Sequence, residues 1–360
     1  MRAFEMCDHA LAMSFFKTAK AAARLAGIDP GREFYVRIAE TSLRLGATRQ
    51  SLSYFARALE RSSRGAQRAH VLGRIAWIHH FESNAGACVH SLEEALAEYG
   101  KRLPGGERGA TKAVRAGLIS LLGQAVPRRG HSAQDIETLC SIYIGCARVA
   151  LDEGQPGRAM AAMLQLASLS RQLPPCRTAV HAELLLAFAL SVLNNGKLWR
   201  KSMARAQRMA REIADPVAQT LCHQFQHNIA GWRGDFAESE RQALACVVER
   251  GHFMELSELC TVCFSMYMVE NVLGRPELAL QWLERGIERV CMLGQASAAF
   301  EIIEDAAYVT LRGLGREKQA TLLKRRLAGV RRAELCKTGV FHLLAYQTRV
   351  QALADRGELG

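Results

Sequence analysis

Two pairs of side chains in this sequence have the spacing of metal ligands. His223 and His227 stand four apart in His-Gln-Phe-Gln-His, and Cys260 and Cys263 three apart in Cys-Thr-Val-Cys. On a helix such spacings put both members on one face. Imidazole and thiolate are the usual ligands of a four-coordinate zinc. His223 and Cys263 each precede a turn glycine by 11 residues, so successive helices would bring them face to face. Zinc ribbons, however, carry Cys-x-x-Cys in two turns, and here the motif falls inside a helix. Two core cysteines and two interface histidines are the better reading, and no metal or other cofactor is expected. Glu301, Glu304 and Asp305 form an acidic cluster on a helix. Such a cluster reads as a solvated face or a partner for basic helices. The chain has no Gly-x-x-x-x-Gly-Lys-Ser/Thr phosphate loop, no Gly-x-Ser-x-Gly turn and no His-Glu-x-x-His helix. No enzyme is expected.

Charge carries more information. Lys and Arg total 47 against 35 Asp and Glu, a net charge of +12. The excess is concentrated. Residues 197–211 hold six cations and no acid, and 312–332 hold eight against Glu317 alone. Residues 101–129 hold seven against Glu107. Basic patches attract phosphates or acidic protein surfaces. The candidate partner-binding residues are therefore Lys197, Arg200, Lys201, Arg205, Arg208, Arg211, Lys324, Arg325, Arg331 and Arg332. Single-stranded nucleic acid would call for exposed aromatics among them. Trp199 is near one patch but belongs to an apolar stripe with Met203, Ala206, Ala210 and Ile213. A protein or peptide ligand with acidic character ranks ahead of nucleic acid.

The elements that position these residues are helices. Ala, Leu, Arg, Glu, Gln and Met dominate, and no sustained alternating strand pattern occurs. Turns centred on glycine fall at Gly46, Gly154, Gly196, Gly234, Gly274 and Gly315, the last four steps being 42, 38, 40 and 41 residues. A weaker unit turns at Ser83. Fixed-period turns between apolar-periodic helices are the mark of a stacked helical array. Five residues after the turn a small side chain recurs, as Ser51, Cys88, Ala159, Ser239, Ala279 and Ala320. Four further on, Phe55, Leu92, Met163 and Leu283 face the core. The Gly196 unit breaks the rule, because its expected positions fall on Lys201, Arg205 and Arg208. One additional turn residue, giving Ser202, Ala206 and Met209, restores the pattern.

This order of glycine, small residue and apolar residue resembles the tetratricopeptide repeat, stretched to a period near 40. The resemblance implies an all-α, right-handed superhelical solenoid of about seven antiparallel hairpins with a concave groove lined by the first helix of each. The segments SYFARALE and SLEEALAEYGKRLP, followed by a repeat-poor stretch and five long units, also resemble the repeat region of large bacterial signalling ATPases. Maltose-type transcription activators carry similar arrays. That resemblance implies a non-catalytic interaction or regulatory module whose partner could be an ATPase or signalling protein.

The expected organisation follows. Residues 1–33 form an N-terminal helix and cap, 34–99 two hairpins, 100–131 a connecting helix (about Glu107 to Ala125) and candidate hinge, 132–330 five hairpins, and 331–360 a capping helix and tail. The 11 cysteines, an odd number without framework spacing, point to reduced core residues and a cytoplasmic protein. No run suits a signal peptide or a membrane span. Three functions remain open: a scaffold that binds a peptide in its groove, a basic nucleic-acid binder, and a sensor of a small ligand. Self-association is a fourth use of the same surfaces.

Overall fold

The computed structural model describes residues 9–328 apart from 83, 105, 123–131, 193, 195 and 294–297. Arg331, Arg332, the Ser83 turn and the expected capping helix lie outside the described residues. Among the described residues all regular structure is helical. Sixteen α-helices follow one another. They are α1 (His9–Leu25), α2 (Arg32–Arg44), α3 (Thr48–Glu60), α4 (Ala66–Phe81), α5 (Ala85–Ala97) and α6 (Gly106–Leu122). Next come α7 (Ala133–Asp152), α8 (Pro156–Ser170), α9 (Arg177–Val192), α10 (Gly196–Glu212) and α11 (Pro216–Arg233). The last are α12 (Phe236–Leu244), α13 (Leu256–Val272), α14 (Pro276–Leu293), α15 (Ala298–Gly313) and α16 (Glu317–Leu327).

The helices pair as seven antiparallel hairpins: α2 with α3, α4 with α5, α7 with α8, α9 with α10, α11 with α12, α13 with α14 and α15 with α16. First helices also pack on the first helices of neighbouring hairpins, as α4 on α7, α7 on α9, α9 on α11 and α13 on α15. The extra helix α6 lies against α8, where Ala110 is buried beside Gly157.

The turn chemistry is visible in the backbone. Gly46, Gly154, Gly234, Gly274 and Gly315 all have φ between 66° and 83°, a region that a side chain disfavours. The small residue five positions later is buried in each case, which lets the second helix approach the first. Where it is serine, it also ties the hairpin: Ser51 Oγ donates to Ala39 O at 2.8 Å, and Ser239 Oγ donates to His227 O at 3.3 Å. Phe55, Leu92 and Leu283 are fully buried, each contributing about 1.5–3 kcal/mol.

The Gly196 expectation needs correction. Gly196 opens α10, and Asn194 takes the left-handed turn position with φ 56°. Asparagine tolerates that region because its short side chain can bond locally. The turn therefore holds no additional residue. Trp199 occupies the usual small position, and Met203, Ala206 and Ala210 are buried along the expected stripe.

Apolar burial divides into three clusters. One spans Met13 to Ile78, a second Ala69 to Ile229, and a third Phe236 to Leu327. The third begins at the α11–α12 turn. Past α12 the chain runs through a π-helical turn, Ala245–Glu249, and a 3-10 turn, Gly251–Phe253. A Cβ on Gly251 would sit 3.2 Å from the Leu259 side chain, so glycine suits this tight return. The return sets the start of α13.

Candidate functional site

The first helices of five hairpins converge on one cluster of charge. On α2, Glu40 and Arg44 share a face by four-residue spacing; on α4, Arg74 and Trp77 do so by three. Arg148 comes from α7, His181 from α9, and Glu255 and Glu258 from the start of α13. Convergence of first helices so far apart in sequence requires that they line the inside of the curve.

Glu255 is the hub. Trp77 Nε1 donates to Glu255 Oε2 at 3.0 Å, across 178 residues of chain. Arg44 Nη2 lies 3.4 Å and Arg74 Nη2 3.9 Å from Glu255 Oε1. Arg74 also holds Glu40 with both nitrogens, at 2.5 and 2.7 Å. Arg148 stacks on the Trp77 ring at 4.5 Å, lies 3.7 Å from Glu258 Oε1, and reaches His181 Nε2 at 3.3 Å. An arginine can only donate, so His181 Nε2 accepts and the ring proton sits on Nδ1.

The electrostatics follow from crowding. The Glu255 side chain is 11 % exposed. Burial acts to raise its pKa, but Arg44, Arg74 and the Trp77 N–H outweigh it and hold the carboxyl below the usual glutamate range. Glu258 moves the other way, raised by burial and then by the neighbouring Glu255 charge. Burial opposes the Arg74 charge, yet Glu40 and Glu255 hold its pKa above the ordinary value. His181 is depressed well below the imidazole range by burial and by Arg148, and stays neutral. Three guanidinium groups thus face three carboxylates.

The residues singled out by charge density lie elsewhere. Lys197, Arg200, Lys201, Arg205, Arg208 and Arg211 are all exposed along α10. Trp199 is half-buried and flanked by Arg200 and Arg233, with guanidinium carbons 5.2 and 5.7 Å from the ring centre. The C-terminal half of α10 borders an open cleft of about 390 Å³, where Arg205, Arg208 and Met209 face Leu173, Pro175 and Glu183. Arg205 Nε is 3.5 Å from Glu183 Oε1. Burial raises the Glu183 pKa, and Arg205 and Arg171 work against the rise. Lys324 and Arg325 are exposed on α16, with Lys324 Nζ 4.0 Å above the Tyr308 ring.

His227 and the Cys pair are core, and His223 is half-buried. His227 is wholly buried between α11, α12 and α13. Its Nε2 lies 2.6 Å from Ser265 Oγ, which donates onward to Val262 O, and its Nδ1 lies 2.9 Å from Ser239 Oγ. Burial lowers its pKa to about 4. No substrate can reach this Ser–His pairing. His223 Nδ1 meets Gln242 Oε1 at 2.7 Å. Cys260 and Cys263 are fully buried, and burial pushes the Cys263 thiol up to about 12, far from a reactive thiolate. Among the described residues, no three His, Cys, Asp or Glu side chains are placed to hold a metal ion. Among the same residues, no helix is long and apolar enough to cross a membrane.

The inner cluster escapes a sequence reading because its members are isolated. Arg44, Arg74 and Arg148 lie in separate hairpins; Arg44 and Arg148 have acids nearby in sequence, and Arg74 falls in the acid-free stretch 61–81, whose four arginines are widely spaced. The available signal was the position of each on a first helix.

Fold and site together define an all-α protein of stacked helical hairpins with a polar inner face. No family model matches the sequence, and no curated protein matches it. Among solved structures, the chain is similar to a Rap protein crystallised with Competence and Sporulation Factor. The match has 13% identity and a TM-score of 0.46, and covers 83% of this chain and 74% of that one.

Proposed function

We propose that this chain is a non-catalytic regulatory scaffold that binds an acidic peptide or protein segment on its inner face. The observation that supports this reading is the convergence of Arg44, Arg74 and Arg148, from three hairpins, beside Trp77. Guanidinium groups present paired donors that match carboxylates. A tryptophan beside them supplies apolar area of the kind that anchors interfaces. The resemblance to the repeat regions of bacterial signalling ATPases and maltose-type activators supports a setting in signal transduction or transcriptional regulation. The α10 cations would then steer an acidic partner and not grip it.

Affinity capture from the native cell, followed by exchange of the bait, tests the reading. Arg74→Gln, verified as folded by circular dichroism, should lower recovery of a bound acidic protein at least tenfold. Lys201→Glu should change recovery by no more than twofold at physiological salt. Recovery of nucleic acid alone, or equal loss with both variants, overturns the reading.

A further inference from the structure

We propose that Glu255 and Glu258 are a built-in acidic occupant of the inner-face arginine cluster, which an acidic partner displaces when it binds. The inference rests on the function proposed above and adds a regulatory step to it.

The geometry distinguishes this contact from the others in the stack. Three ion pairs between adjacent hairpins are two-pronged and short, although Arg326 meets Glu284 through a single 3.5 Å contact. Arg74 grips Glu40 at 2.5 and 2.7 Å, Arg177 grips Asp215 at 2.6 and 3.1 Å, and Arg316 grips Glu277 at 2.9 and 2.6 Å. The contacts of Glu255 and Glu258 with arginine are longer, at 3.4, 3.9 and 3.7 Å. Charge-assisted hydrogen bonds are strongest near 2.7–2.9 Å. Arg74 is therefore gripped by Glu40 of the adjacent hairpin, whereas all three arginines are held only loosely by Glu255 and Glu258.

Packing reinforces the distinction. Helix α13 does not pack extensively on α2 or α4. The apolar cluster that contains α13 is separate from the one that contains α2. The bridge from α13 to α2 and α4 includes the polar contacts of Glu255 with Arg44, Arg74 and Trp77. An incoming carboxylate can replace such contacts one for one. Release of Glu255 would also loosen the start of α13, which sits directly after the irregular stretch 245–253 and is otherwise held by the buried Met254, Leu256 and Leu259. That stretch gives the segment a place to move.

The test uses the full chain and a fluorescein-labelled hexaglutamate peptide, with hexalysine as the control. Fluorescence anisotropy should show Glu255→Gln binding hexaglutamate at least fivefold tighter than the unmodified chain. Trp77→Phe removes one donor to Glu255 and keeps the ring; it should tighten binding about twofold, and it serves if Glu255→Gln fails to fold. Hydrogen exchange should show residues 251–258 exchanging faster when hexaglutamate is bound. Equal or weaker binding by both variants, with Arg74→Gln still abolishing it, would overturn the internal occupant and leave the inner-face function standing. Absence of binding, or binding that Arg74→Gln does not weaken, would overturn both.

Discussion

Arg74 on the inner face and Arg208 on α10 carry the same group, yet their surroundings differ. Arg74 is 24% exposed and shared between two carboxylates. Arg208 projects into solvent at the rim of a cleft. Charge density in the sequence draws attention to α10, where six cations crowd 15 positions. The fold assembles the inner arginines one hairpin at a time. The lesson is that a run of like charge marks a surface that water already satisfies, whereas a site needs charges brought together from distant segments.

Mutations can break or sharpen this contrast. The largest effect is expected on the inner face. Arg74→Ala leaves Glu40 and Glu255 without their shared partner, and removal of one member of a buried ion network costs about 3–5 kcal/mol. Urea denaturation should show that loss as a lower midpoint with an unchanged slope. A loss below about 1 kcal/mol would mean that water reaches the cluster freely.

Acid provides the next test. His227 has a pKa near 4 in the folded chain, below the unfolded value of about 6.5. The unfolded state therefore binds the proton first. The stability that this histidine contributes is complete above about pH 6.5 and drains away as pH falls toward 4. Between pH 7.5 and 5 the loss from this group is about 2 kcal/mol. His181, depressed in the same direction, adds to it. Glu258 and Glu183, both raised, work against it, since their protonation favours the folded state. Thermal melts at the two pH values should show a smaller difference for His227→Gln than for the unmodified chain. An unchanged pH slope would mean that the ring takes up a proton in place.

The α10 region answers to its turn more than to its charges. Asn194→Gly removes a side chain from a left-handed position and should stabilise by about 0.5–1 kcal/mol. Lys201→Glu should change stability by less than about 0.5 kcal/mol, because the group is exposed. The same substitution should reduce the salt dependence of binding to hexaglutamate, since surface charges act over a screening length of about 8–10 Å. A stability change larger for Lys201→Glu than for Asn194→Gly would break the contrast.

Much of the fold was legible before the structure. Ser51, Ala159, Ser239, Ala279 and Ala320 recur at one offset from a glycine, and all five are buried. That regularity is local, and local spacing survives in sequence. Asn194 was missed because the left-handed role passed to a residue that also serves in many other contexts, while a glycine stood two places away. The charged cluster was legible in one respect: all five helices that supply it are the first helices of their hairpins. Glu255 was not legible at all. Its placement depends on the sum of every hairpin angle between residues 77 and 255, and no sequence window contains that sum. The irregular turns at 245–253 added a further offset that periodicity does not encode.

The ionic bridge between the early hairpins and α13 gives the molecule an uneven stiffness. Each hairpin is held by apolar burial, which resists deformation at any ionic strength. The bridge to α13 includes a few polar contacts, which are largely buried and so lose less to salt than surface pairs do. The array should therefore behave as a stiff strip with a softer clasp, widening its bend under modest tension while every repeat stays intact. That places the compliance at the surface where a partner is proposed to bind.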